Sequence, residues 1–315
     1  MSKAMMVCSG GGHLKQLFTL AERLGVDPDD QVWITFENGL SSSLLADREV
    51  HYAPFVAPRD VGNLARLSML ALRVMSQHRY DRAFSTGSSP AVAVLPMAVA
   101  RGASAHYIES AARADGPSMS GRILERIRGI RTYTQYPAWE SGRWSYAGSI
   151  YDGFGEGPRT DPPERIRRAV VTVGTQEGYG FDRLYDAVVP LLTDCDEVLW
   201  QSGPQDLSPW GLQGRSRVSH DELNAAVRDA DVVIAHAGTG SAITAFEQGK
   251  FPILVPRRAA HGEHVDDHQV QIAREMQARG LAFMSSPEEL DATVIREAAR
   301  RSVVPRDAPA MRLAA

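Results

Sequence analysis

This chain predicts an α/β fold made of two Rossmann-like domains, each a parallel sheet with crossover helices. Three observations carry that reading. Apolar segments of strand length alternate with helix-forming segments along the 315 residues, the pattern of parallel sheets with right-handed crossovers. Each half opens with a short apolar run that leads straight into a glycine turn. A cluster of Gly and Pro, GFGEGPRTDPPER at 153–165, separates the halves as a linker would.

In the first half, residues 4–8 form an apolar strand that runs into Ser9-Gly10-Gly11-Gly12-His13, and 14–24 has helical character. Strands are expected at 32–36, 82–85 and 105–108. In the second half, 169–173 runs into Gly174-Thr175-Gln176-Glu177-Gly178, followed by a helix over 182–192. Further strands are expected at 197–201, 232–235 and 251–255. A chain of this length is long for one hydrophobic core. The division expected is 1–155 for the first domain and 165–315 for the second.

Composition bounds the function. A net charge of −4 argues against general nucleic-acid binding. Two cysteines, Cys8 and Cys195, are too few for a disulfide framework or a cysteine zinc site, as in a reducing cytoplasm. MSKAMMVCSGGGH has no long apolar core and does not read as a secretory signal. No uninterrupted apolar run approaches the ~20 residues of a membrane-spanning helix. The expectation is a cytoplasmic protein that binds peripherally to the inner face of the plasma membrane.

The densest chemistry lies at 232–271, VVIAHAGTGSAITAFEQGKFPILVPRRAAHGEHVDDHQVQ. A strand enters the small-residue turn His236-Ala237-Gly238-Thr239-Gly240-Ser241 and then a helix. Unpaired backbone N–H groups at such a turn, with the helix dipole behind them, favour a phosphate. A second strand follows, then a loop rich in His, Asp, Glu and Gln at the same sheet edge, where open α/β sheets bind ligands. The combination suits a nucleotide diphosphate with a polar head such as a sugar.

HAGTGS (236–241), GKFPILVPR (249–257) and GEHVDDHQ (262–269) together resemble the donor-binding half of glycosyltransferase family 28, a GT-B group. SGGGHLKQL (9–17), STGSSPAVAVLP (85–96) and YIESAARADGPSMSGRIL (107–124) resemble the acceptor-binding, membrane-recruiting subunit of a two-part UDP-GlcNAc transferase. VTVGTQEGYGFDRL (171–184) is similar to the start of its catalytic subunit. The chain thus resembles both subunits fused, acceptor half first. The resemblance implies two domains facing across a cleft and an inverting, metal-independent transfer from a UDP-sugar, a substrate and not a cofactor. It also implies a polyprenyl-diphosphate-linked saccharide as acceptor. Gly174 and Thr175 join the donor site, and Gly10, Gly11, Gly12, Ser88 and Arg113 face the acceptor. Many members carry a Glu five residues before the glycine of the GKP-like word, to bind ribose hydroxyls; here that position is Thr244.

The base is left open between two residues. His13, at a helix N-terminus, would be kept neutral by the positive helix end. Glu109 ends a strand where a carboxylate could meet a ligand, although a salt bridge to Arg113 is an equal alternative. His261, His264 and His268 with Asp266 and Asp267 are competent metal ligands. The preferred reading is that His264, Asp267, His268 and Gln269 hydrogen-bond the donor, with no metal. Residues 61–80 read as a helix capped near Asn63. It either covers the first sheet or lies in a membrane surface, with Arg66 and Arg73 on one face, Arg59 and Arg79 at its ends, and Arg122, Arg126, Arg128 and Arg131 nearby. Three rivals to the lipid-linked transferase are a soluble GT-B enzyme acting on a small metabolite, a non-catalytic nucleotide-sugar-binding protein, and an epimerase.

Overall fold

A computed structural model describes residues 2–57, 60–174 and 178–314. The chain divides into two compact units, 1–150 with 308–315, and 151–307.

The first unit runs β1 (Lys3–Cys8), α1 (Gly12–Ala21), β2 (Gln31–Phe36), α2 (Gly39–Leu44), β3 (Glu49–Ala53), α3 (Val61–Val74), β4 (Tyr80–Gly87), α4 (Ser89–Ala100), β5 (Ser104–Ile108), α5 (Met119–Leu124), β6 (Ile130–Thr134) and β7 (Trp144–Tyr146). Its strands form one sheet in the order β3-β2-β1-β4-β5-β6-β7, every pairing parallel. Parallel sheets are covered on both faces, so their inner strands read as continuous apolar runs. Residues 4–8 of β1 are accordingly all buried.

The second unit runs β8 (Phe154–Glu156), β9 (Arg168–Thr172), α6 (Asp182–Val188), β10 (Glu197–Gln201), α7 (His220–Asp229), β11 (Val232–Ala235), α8 (Thr239–Glu247), β12 (Ile253–Leu254), α9 (His268–Ala278), β13 (Phe283–Met284), α10 (Ala292–Ala299) and β14 (Val303–Pro305). Its sheet has the order β10-β9-β11-β12-β13. Strand β12 is two residues, not the five expected at 251–255. Pro252 has no N–H to donate to a ladder, while Val255 N still reaches Ala235 O at 2.8 Å.

In each sheet the strand order turns back beside the first strand, at β1/β4 and at β9/β11. Such switch points open a crevice beyond the carboxyl ends of the strands. All four strands end in the loops singled out from sequence.

Two expectations are corrected. The units part at 150/151, and the Gly/Pro stretch 153–165 is not a free linker: β8, inside it, pairs antiparallel with β14. The predicted helix over 61–80 stops at Val74, and its N-cap is Asp60, whose Oδ1 accepts from Asn63 N at 3.0 Å. Leu67, Ala71 and Val74 of α3 are buried, whereas Val61, Met69, Leu72, Arg66 and Arg73 are exposed. The helix therefore covers the sheet with one face and keeps apolar side chains on the other. Among the described residues no helix is long and apolar enough to cross a membrane.

Candidate functional site

The two switch points are built by the same device. In the first unit His13 lies in the first turn of α1, and its Nδ1 is 2.6 Å from Thr86 O, at the end of β4. A carbonyl can only accept, so Nδ1 carries the proton and Nε2 keeps its lone pair. Thr86 Oγ1 returns a bond to His13 O at 2.7 Å. Gly87 follows with φ +114, and a Cβ there would lie 2.8 Å from His13 Cε1. Glycine is required at that position for both conformation and space. Burial lowers the His13 pKa, which keeps the imidazole neutral.

In the second unit His236, just beyond β11, places Nδ1 3.2 Å from Thr172 O, at the end of β9. Here too a glycine faces the ring. Gly174 has φ +74, and a Cβ there would sit 2.9 Å from His236 Nε2. The His236 pKa is pushed down to about 3, first by burial and then by the Arg257 guanidinium. Each unit thus presents a neutral histidine, protonated on Nδ1, across its switch point.

Around His13, Gly11 caps α1 with φ 66 and has no side-chain capping bond. Gly11 and Gly12 are exposed, with open space where a Cβ would stand. Ser9, Gly10, Gly11 and Ser88 line a groove of about 970 Å³ whose other walls include Phe36, Phe55, Leu64, Met119 and Ile123. Phe55, Val61, Met119 and Ile123 expose much of their side chains along it. The groove joins a polar, glycine-rich end to an apolar trough. Gly12 and Arg113 are not among its lining residues; Arg113 is half-buried in the loop after β5.

Glu109 is corrected as a base candidate. Its carboxylate is 1% exposed. Oε1 accepts from Tyr107 Oη at 3.2 Å and Ser110 N at 3.0 Å. Oε2 accepts from Ser118 N at 2.8 Å and Ser118 Oγ at 3.0 Å. The carboxylate therefore ties the end of β5 to the N-terminus of α5, and its acceptor positions are occupied within the protein.

In the second unit, Gly238 is the N-cap of α8 and Thr239 its first residue. Ala237 holds φ 60 without being glycine, a strained conformation of the kind found at functional turns. A Cβ on Gly240 would meet nothing within 4 Å, while one on Gly238 would lie 2.4 Å from His236 Nε2. Ser241 is half-buried. Thr244 is buried within α8. Thr175 lies outside the described residues.

The loop before α9 brings His264, Asp266 and His268 together. The His264 ring stacks on Tyr179 at 5.6 Å and stands edge-on to His268 at 4.6 Å. Asp267 caps α9, and its Oδ1 accepts from Ala259 N at 2.9 Å, which fixes the loop. Gln269 is 2% exposed, with Oε1 accepting from Arg257 N at 3.0 Å. Asp267 and Gln269 thus hold the loop's shape, and His264 and His268 are the histidines it gathers.

Sequence reasoning missed Arg257 except as the last letter of a strand word. Its side chain is 1% exposed and lies 5.7 Å from the centre of the Phe181 ring. Among the described residues, Arg257 Nε and Nη1 and Thr239 Oγ1 are buried without a hydrogen-bond partner. A buried charge with unmade bonds is costly, and this one stands beside His236 at a switch point. The signal was there: an arginine immediately after an apolar strand at a ligand-binding sheet edge.

Residues 168–310 match the glycosyltransferase family 28 C-terminal domain. The chain is 32% identical over 135 residues to the UDP-N-acetylglucosamine transferase subunit ALG13 of Mus musculus, covering 38% of this chain and 10% of that protein. It is 30% identical over 151 residues to the UDP-N-acetylglucosamine--N-acetylmuramyl-(pentapeptide) pyrophosphoryl-undecaprenol N-acetylglucosamine transferase of Nitratidesulfovibrio vulgaris, covering 43% and 39%. The chain thus spans well under half the length of these two relatives. The crystal structure of Acinetobacter baumannii MurG superposes with a TM-score of 0.57 at 18% identity, over 94% of this chain and 89% of that one. The fold is GT-B, and residues 168–310 are similar to the C-terminal domain of glycosyltransferase family 28.

Proposed function

We propose that this protein is an inverting, metal-independent hexosyltransferase that moves N-acetylglucosamine or a related hexose from a UDP-sugar to a polyprenyl-diphosphate-linked saccharide. It would work peripherally at a membrane face, in cell-surface polysaccharide synthesis. The observation that carries the reading is the turn into α8, where a helix N-terminus with open space at Gly240 stands in the same unit as the loop that gathers His264 and His268. Backbone amides and the helix dipole there suit a departing diphosphate, whose charge such preorganised groups stabilise. The similarity to UDP-N-acetylglucosamine transferases supports the same chemistry. The first unit's groove supports a lipid-linked acceptor: its glycine end suits a diphosphate and its trough an isoprenoid chain.

In this reading His13 is the base. Nε2 holds the lone pair because Nδ1 is committed to Thr86 O, and the lowered pKa keeps that lone pair available at neutral pH. His13→Ala is expected to cut transfer by about 10²–10⁴-fold while UDP affinity, read by calorimetry, stays the same. The acid limb of the wild-type kcat profile should lie below the ordinary imidazole value of 6.5, because burial lowers the His13 pKa. Normal transfer by His13→Ala would move the base elsewhere. Glu109→Gln, in contrast, should lower the melting temperature, because an amide nitrogen cannot accept the two bonds that Oε2 takes from Ser118.

A further inference from the structure

We propose that His264, Asp266 and His268 form a binding site for a first-row transition-metal dication, with zinc the best chemical match, and that the bound ion inhibits the enzyme. One ligand atom from each residue lies within 4.8 Å of the other two. Zinc holds nitrogen and oxygen at about 2.0–2.2 Å, so adjacent ligands in a tetrahedral site stand about 3.3–3.5 Å apart. His264 Nδ1 and Asp266 Oδ1 are already 3.5 Å apart. His268 Nδ1 and Asp266 Oδ1 are in direct hydrogen-bond contact, and an ion would take the place of the proton between them, with the neutral imidazole then carrying its proton on Nε2.

The surroundings hold this trio in place. The His264 ring is stacked on Tyr179, Asp267 is bonded to Ala259 N, and Glu263 Oε2 accepts from Arg258 N at 2.9 Å. Two imidazoles and one carboxylate suit zinc, nickel or copper, whereas magnesium and calcium prefer oxygen alone. Three protein ligands leave a fourth position for water. The inhibitory half rests on the function proposed above, because the ion would take the lone pairs with which His264 and His268 are to read the donor sugar.

The test uses the full chain, stripped with EDTA and desalted. Titration against a zinc indicator is expected to give one equivalent bound at about 10 µM free zinc or less. Cobalt should give the intense visible absorption of a four-coordinate site, and magnesium should not compete. Asp266→Asn is expected to weaken zinc binding about ten-fold or more. His261→Asn, at an exposed histidine of the same loop outside the trio, should leave it unchanged. Zinc inhibition of sugar transfer, scaled to each variant's own metal-free rate, should shift in parallel and reverse with EDTA. Binding well below one equivalent, or equal zinc affinity in wild type and Asp266→Asn, overturns the site. Stoichiometric zinc binding by a protein with no metal-free transfer leaves the site standing and sinks the function, and metal-free transfer untouched by bound zinc overturns the inhibition.

Discussion

Gly240 and Gly238 look alike in the sequence, yet they ask for different experiments. A side chain at Gly238 collides with His236 inside the protein, so its substitution disturbs the fold before any ligand is considered. At Gly240 the same atom points into open space. Gly240→Val should therefore fold with little loss of stability and still weaken UDP binding by at least about ten-fold, or 1.4 kcal/mol, measured by calorimetry. Unchanged affinity in the folded variant would take the diphosphate away from this turn. Glu109 teaches the reverse lesson. It ends a strand at the right edge of the sheet, and only the fold of the following loop turned its carboxylate inward.

At the scale of elements, α3 and the groove beside it combine packing with exposure. Three apolar residues hold α3 to its neighbours, while Val61, Met69 and Leu72 remain outside with Arg66 and Arg73. Arginines beside exposed apolar side chains suit an anionic lipid surface. Arg66→Glu with Arg73→Glu should weaken sedimentation with anionic liposomes by about 1 kcal/mol per residue. Transfer to a short-chain, detergent-soluble acceptor should be spared. Equal sedimentation of the variant and the wild type would leave α3 as a packing helix alone.

For the whole molecule, the division at 150/151 decides how the second unit can be isolated. Residues 151–307 keep the β8–β14 pairing, the bond from Gly157 N to Ser302 O and the packing of Tyr151 and Phe154 on Phe246. A fragment of 151–307 is expected to bind UDP as the full chain does. One that begins at 165 strips β14 of its partner and should melt about 5 °C lower or more, since 1 kcal/mol shifts a domain of this size by roughly 2–4 °C. Equal melting temperatures would show that β8 contributes nothing to this unit.

The alternation of strands and helices, the two glycine turns and the donor words were legible because parallel α/β folds impose them locally. A strand buried on both faces must be apolar throughout, and a phosphate-binding turn must be small. What only the tertiary structure decided depends on residues far apart in the chain. The pairing of β8 with β14 joins 154–156 to 303–305, and nothing local in GFGEGPRTDPPER announces it. His13 and Thr86, or His236 and Thr172, are joined only because their strands are neighbours at a switch point. Arg257 and Glu109 became distinguishable for the same reason. A charged side chain's role is set by what surrounds it, and packing gave Glu109 four partners while leaving two nitrogens of Arg257 with none.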